Sequence, residues 1–200
     1  MQSNLKTIGY SALISLLLIL PFMVMEVVNR RDYDEDFPFV LFFGLCFNAF
    51  AICLILLPVV RGWRTGKHDT ANPAPARKST LLTNPNSAAV IGVTLILSPV
   101  ILLLLESLGW VSLDTLVNGP NPEQTYIPGL FISLALFSLP VAGGIIAARP
   151  VARTLRAGGG LFAYPINLII VVLLVSMIAY GVASLLIDQW PCFIGVQNCD

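Results

Sequence analysis

Glu26 and Glu106 stand inside or at the edge of long apolar runs, where an ionisable group is costly to bury and is therefore a candidate for function. Each follows a proline of its own run, Pro21 and Pro99, a residue that bends a helix or frees a carbonyl. Two carboxylates placed in this way are a candidate ion or proton site if they converge on a common axis. The plainer alternative makes both interfacial, with Arg30 and Arg31 close behind Glu26 as ion-pair partners. Asn48, Asn167 and Asp188 are weaker candidates of the same kind.

A second group is basic and repeated. Pro58-Val59-Val60-Arg61-Gly62-Trp63-Arg64-Thr65-Gly66 and Pro150-Val151-Ala152-Arg153-Thr154-Leu155-Arg156-Ala157-Gly158 share the pattern PVxRxxRxG. Arginines three apart lie on one face of a helix that runs one turn past an apolar segment and stops at a glycine. Arg149 extends the stripe in the second copy. Arg61, Arg64, Arg149, Arg153 and Arg156 suit anionic lipid headgroups or an acidic partner. They serve equally well as topology signals with snorkelling stems.

The four cysteines divide into two pairs. Cys46 and Cys53 are seven apart in one apolar run, about 10 Å along a helix and too far to bond, so they are expected to pack. Cys192 and Cys199 flank a short tail and are expected to form a disulfide if that tail meets an oxidising compartment. No Cys-x-x-Cys pair is present, which argues against a thiol oxidoreductase. The single histidine, His68, sits between Lys67 and Asp69 and is expected to be solvated. No His-Glu-x-x-His, phosphate-binding glycine loop or Gly-x-Ser-x-Gly occurs. No catalytic residue, metal, cofactor or nucleic-acid partner is therefore expected.

The elements that must position these groups are apolar helices. Ile8–Val28, Pro38–Val60, Ala88–Leu108, Ile127–Ala148 and Tyr164–Ile187 are runs of about 20 residues, the length that crosses a hydrocarbon core of roughly 30 Å. With 56% hydrophobic and 11% charged residues and a mean hydropathy of +0.85, the chain has little left for a water-soluble domain. The expected fold is an all-α integral membrane protein of five transmembrane helices. The first run lacks a small-x-small cleavage site between Pro21 and Arg30 and is expected to remain as a span. The polar stretch from Arg61 to Ser87, with Asn72-Pro73-Ala74-Pro75 and Asn84-Pro85, reads as an irregular linker.

Loop charge orients the spans. Lys6, Arg61, Arg64, Lys67, Arg77, Lys78, Arg149, Arg153 and Arg156 fall on one side and only Arg30 and Arg31 on the other. The excess of positive charge on cytoplasmic loops then predicts an N-in, C-out topology with an acidic outer surface. Tyr10, Trp63 and Tyr164 at the inner boundaries and Tyr33, Trp110, Tyr126 and Trp190 at the outer ones agree with it.

The repeated motif is the end of a longer likeness. Leu18-Ile19-Leu20-Pro21 with Glu26 answers Leu95-Ile96-Leu97-Ser98-Pro99 with Glu106, and Phe37-Pro38 answers Ile127-Pro128. Residues 8–66 and 90–158 thus read as two parallel copies of one helical hairpin, with the fifth span added. The expected divisions are 1–66, a first hairpin; 67–87, a cytoplasmic linker; 88–158, a second hairpin; and 159–200, the fifth span and an external tail. Small residues four apart, Ser138/Ala142, Gly143/Ala147, Gly144/Ala148 and Ala179/Ala183, predict close helix contacts, foremost within the chain. Gly158-Gly159-Gly160 is expected to be a flexible hinge.

Short loops and few buried charges favour a non-enzymatic protein embedded in a lipid bilayer, an accessory subunit or assembly factor that meets other membrane proteins. The alternative is a small transporter or channel component that uses Glu26 and Glu106. A bacterial inner membrane is the expected location, since no glycosylation sequon occurs.

Overall fold

The computed structural model describes residues 2–29, 39–66, 84–119 and 127–194. Arg30, Arg31, Lys67, His68, Arg77, Lys78 and Cys199 lie outside the described residues. The described elements are α1 (Gln2–Asn29), α2 (Phe39–Gly66), α3 (Pro85–Ser107), α4 (Leu113–Asn118), α5 (Ile127–Arg156), a 3-10 turn (Leu161–Ala163), α6 (Pro165–Asp188) and α7 (Trp190–Phe193). Helices α1, α2, α3, α5 and α6 are each long and apolar enough to cross a membrane. This is the build of a multi-pass membrane protein, because a helix satisfies its own backbone where lipid offers no partner.

Several boundaries differ from the apolar runs for local reasons. Helix α3 starts three residues before Ala88, because Asn84 caps it by accepting the Asn86 amide at 3.1 Å and Pro85 fills the first turn. Asn84-Pro85 is thus a helix start and not part of an irregular linker. Helices α2 and α5 continue through Pro58 and Pro150 to Gly66 and Arg156. Prolines also interrupt α1 at Pro21, α3 at Pro99 and α5 at Pro140. At Pro99 the carbonyl left without its amide, that of Leu95, accepts the Ser98 hydroxyl at 2.8 Å.

The triglycine segment is not a free hinge. The Gly158 amide donates to the Leu155 carbonyl at 3.2 Å and the Gly159 amide to Thr154 at 2.9 Å, with Gly158 at φ +76°. That pair of bonds is a Schellman cap, which needs the left-handed conformation that glycine adopts without strain. Helix α3 ends in the same way at Gly109, φ +73°, with Trp110 donating to Leu105.

Two compact units emerge from the packing. The first comprises Met1–Pro58 with Leu173–Asp200, the second Val59–Val172. In the first unit Ile19 of α1, Phe42 and Leu45 of α2 and Phe193 of α7 form a buried cluster, flanked by Phe22, Met23 and Met25. The Phe193 ring lies 5.6 Å from that of Phe22 and 6.1 Å from that of Phe42. Asn29 at the end of α1 donates its Nδ2 to the Phe193 carbonyl at 2.6 Å. The start of the tail is therefore docked through α7.

In the second unit α3 packs against α5 through glycine. A Cβ placed on Gly143 would sit 2.7 Å from the Gly92 carbonyl oxygen, and one on Gly92 3.1 Å from that of Gly143. The backbones touch here, the arrangement that small residues permit in a membrane. Gly143, Ala147, Val151 and Leu155 are buried in one row of α5, and Gly144, Ala148 and Ala152 in the next. The Gly143/Ala147 and Gly144/Ala148 pairs thus serve contacts within the chain. Ala179 and Ala183 of α6, in contrast, are exposed, and no helix among the described residues covers them.

Candidate functional site

The two PVxRxxRxG segments meet each other. Gly62 of the first lies against the second so closely that a Cβ on it would stand 2.6 Å from the Ala152 carbonyl oxygen and 3.3 Å from the Leu155 Cβ. From Val59 on, the first segment belongs to the second unit, as does all of the second segment. Gly62, Val151, Ala152 and Leu155 are buried, whereas Arg64, Arg149, Arg153 and Arg156 are exposed and Arg61 is half-buried. Each segment thus has an apolar face that makes the contact and an arginine face that does not. Arg61, Gly62 and Trp63 also engage other groups.

The local sequence explains the split. Val151, Ala152 and Leu155 continue the buried rows of α5, while Arg149, Arg153 and Arg156 recur every three or four residues on the opposite side. The Thr154 hydroxyl, which lies between them, returns to the Pro150 carbonyl at 3.0 Å and needs no outside partner. The Schellman cap at Gly158 ends the helix just past Arg156. At the matching place in the first copy, Gly66 is the last residue of α2. Trp63, 59% exposed, sets a large amphipathic ring beside Arg64, the pairing found at membrane interfaces. Five cations and one indole at a single crossing can bind phosphate or carboxylate groups by charge-assisted hydrogen bonds.

The carboxylates are distributed differently. Glu26 is 8% exposed in the first unit and has an interaction partner. Glu106 is half-buried in the second unit, where its carbonyl receives the Gly109 amide of the α3 cap at 2.8 Å. The two belong to separate units, and each is placed only within its own. Among the weaker candidates, Asn48 donates to the Gly44 carbonyl at 2.8 Å and is satisfied by its own helix. Asp188, at the end of α6, accepts from Gln189 at 3.5 Å. Asn167 is 3% exposed and its Nδ2 has no partner among the described residues, and the same holds for the fully buried Ser11 hydroxyl.

Cys46 and Cys53 are free thiols, half-buried along α2. Cys192, in α7, is not among the free thiols, and Cys199 lies outside the described residues. Among the described residues no three His, Cys, Asp or Glu side chains come together as metal ligands would.

Sequence reasoning picked out all five arginines and missed that the two segments touch. The available signal was Gly62, a residue without a side chain in the middle of a basic turn. It also missed Gly92, although Ala88, Ala89 and Gly92 present small residues on one face of α3. No protein-family model matches this chain, and neither a curated protein nor a solved structure matches it.

Proposed function

We propose that this chain is a non-enzymatic multi-pass membrane protein that serves as an accessory subunit or assembly factor of a larger membrane complex. The observation that carries this reading is the uncovered face of α6, whose apolar window is 11% buried against 17% or more for the other four long helices. Asn167, Val171 and Leu174 are its buried row. Opposite lie Ser176, Tyr180, Ala183 and Ile187, spaced by four, three and four residues and all exposed. Tyr180 is 77% exposed and about 12 Å along the axis from Asp188, within the depth of the hydrocarbon core.

A serine in a helix can return its hydroxyl to a carbonyl one turn back, but a phenol extends too far to do so. Left in lipid, that hydroxyl costs free energy that an acceptor on a neighbouring helix removes. Ser176, Ala183 and Ser184 are small enough to let such a helix approach. A photo-crosslinking amino acid at Tyr180, followed by native-gel separation, is expected to trap one defined protein of different mass. The same probe at Phe131, exposed on α5, is the control. Crosslinks from position 180 to lipid alone, or to a second copy of this chain, would refute the accessory-subunit reading.

The finer architecture belongs to the same proposal. The chain sits N-in, C-out in a bacterial inner membrane, built from two parallel hairpin copies and a fifth helix, with arginine faces against anionic headgroups. The contact between the two PVxRxxRxG segments supports the duplication, since equivalent ends of parallel copies lie on one side of the bilayer. Single cysteines at Thr70 and Asn118, in a variant without the native four, test the orientation: an impermeant maleimide is expected to label only Asn118 in intact cells. A Cys192–Cys199 bridge predicts two free thiols without reductant and four after reduction.

The second reading, a small transporter or channel component using Glu26 and Glu106, is favoured by the burial of Glu26. Under it Glu26→Gln abolishes solute movement in liposomes while the protein stays inserted. Under the accessory-subunit reading the same change alters assembly little.

A further inference from the structure

We infer that the crossing of α2 and α5 is a clamp for an anionic lipid whose headgroup carries two phosphates, such as a diphosphatidylglycerol. The inference rests on the protein spanning a membrane and not on the accessory-subunit reading. As the second and fourth spans, α2 and α5 run in the same sense. Neighbouring positions on a helix are about 100° apart, so Arg61 stands to one side of Gly62 and Arg156 to the other side of Leu155. For two parallel helices in contact, those opposite senses bring both positions to the same side of the crossing. Arg149, two turns before Arg156, joins them on that side, with Arg64 and Arg153 farther round their helices.

The contact through Gly62 is what makes this one site. With a Cβ on Gly62 only 2.6 Å from the Ala152 carbonyl, any larger residue pushes the helices apart and separates the two arginine sets. Each set suits one phosphate, because guanidinium groups three residues apart are about 4.5 Å apart along the axis and bind its oxygens as forks. Two phosphates joined by a short linker engage both helices together, and two separate phosphates gain nothing from the contact. The lipid, as distinct from a soluble bisphosphate, is indicated by the surroundings. Val60 and Trp63, 40% and 59% exposed, leave apolar surface for acyl chains next to Arg61 and Arg64.

Trp63 supplies the measurement. In a full-length Trp110→Phe, Trp190→Phe background it is the remaining indole, and brominated acyl chains quench it on contact. Titration of detergent micelles with brominated diphosphatidylglycerol is expected to reach half-quenching at about tenfold lower phosphate than with brominated phosphatidylglycerol. Arg64→Gln and Arg156→Gln each weaken the diphosphatidyl lipid by roughly fivefold. Gly62→Leu keeps every arginine and is expected to erase the preference while leaving phosphatidylglycerol binding in place. Equal affinity for the two lipids at equal phosphate overturns the proposal, as does a preference that survives both arginine changes. Displacement of the brominated lipid by inorganic pyrophosphate at matching concentration overturns the lipid assignment. If Gly62→Leu does not fold, the two arginine variants decide the matter alone.

Discussion

The two units hold their helices together by opposite means. In the second, α3 and α5 touch backbone to backbone at Gly92 and Gly143, and α2 reaches α5 through Gly62. In the first, bulky side chains fill the space, with Phe193, Leu45, Phe42 and Ile19 as the buried centre. Glycines occur there too, but a Cβ on Gly9 or Gly44 would meet nothing within 4 Å. The lesson is that a glycine in an apolar helix says nothing by itself. Inside lipid no hydrophobic force draws helices together, so what matters is whether removing the side chain lets another backbone come close.

The contrast can be broken at its strongest point first. Gly143→Leu drives a side chain into the Gly92 carbonyl and is expected to destabilise the protein by about 3 kcal/mol, measured as a loss of helical structure on titration with denaturing detergent. Should Gly143→Leu match wild type, the backbone contact is not what holds the second unit. Phe193→Ala tests the other principle. It empties the centre of the first unit and is expected to cost about 3 kcal/mol, the lower end for a buried phenylalanine cut to alanine, since the vacated surface faces other apolar groups.

Asn29→Ala removes the bond to the Phe193 carbonyl without touching the ring. A loss of about 1 kcal/mol is expected, with faster hydrogen exchange at the end of α1. Smallest of all is Gly44→Ala, whose new methyl meets open space; a change under about 0.5 kcal/mol is expected. If Gly44→Ala and Gly143→Leu turn out alike, the distinction between the units collapses.

The five spans were readable because bilayer thickness imposes a length and lipid forbids other backbones. What escaped were elements that no such rule governs. Helix α4 has six residues, with Ser112 accepting from Thr115 at one end and Gly119 at φ +74° at the other, too short for an apolar period to show. Phe193, in a tail with two cysteines, gave no sign that its ring would be buried at 0% exposure. Gly158-Gly159-Gly160 looked unconstrained because composition alone does not reveal which glycine closes a helix.

At the candidate site the same limit holds. The residue types of Arg61, Arg64, Arg149, Arg153 and Arg156 were evident, and their mutual placement depended on the single contact at Gly62. The glutamates stand differently. Their matching places along the chain suggest a pair, and since the two lie in separate units that pairing rests on the sequence likeness alone.

The docking of α7 has a consequence for how the protein is made. The second unit is one continuous stretch, Val59–Val172, and its partners have all left the ribosome before the last span is complete. The first unit joins Met1–Pro58 to Leu173–Asp200, so Ile19 and Phe42 wait in the membrane until Phe193 is synthesised, after the whole of the second unit. Synthesis therefore sets an order of assembly: the glycine-packed unit closes early, and the phenylalanine-packed unit closes only once Phe193 has followed. A chain cut short just before Trp190 would keep all five apolar helices and lose the ring that packs against both α1 and α2.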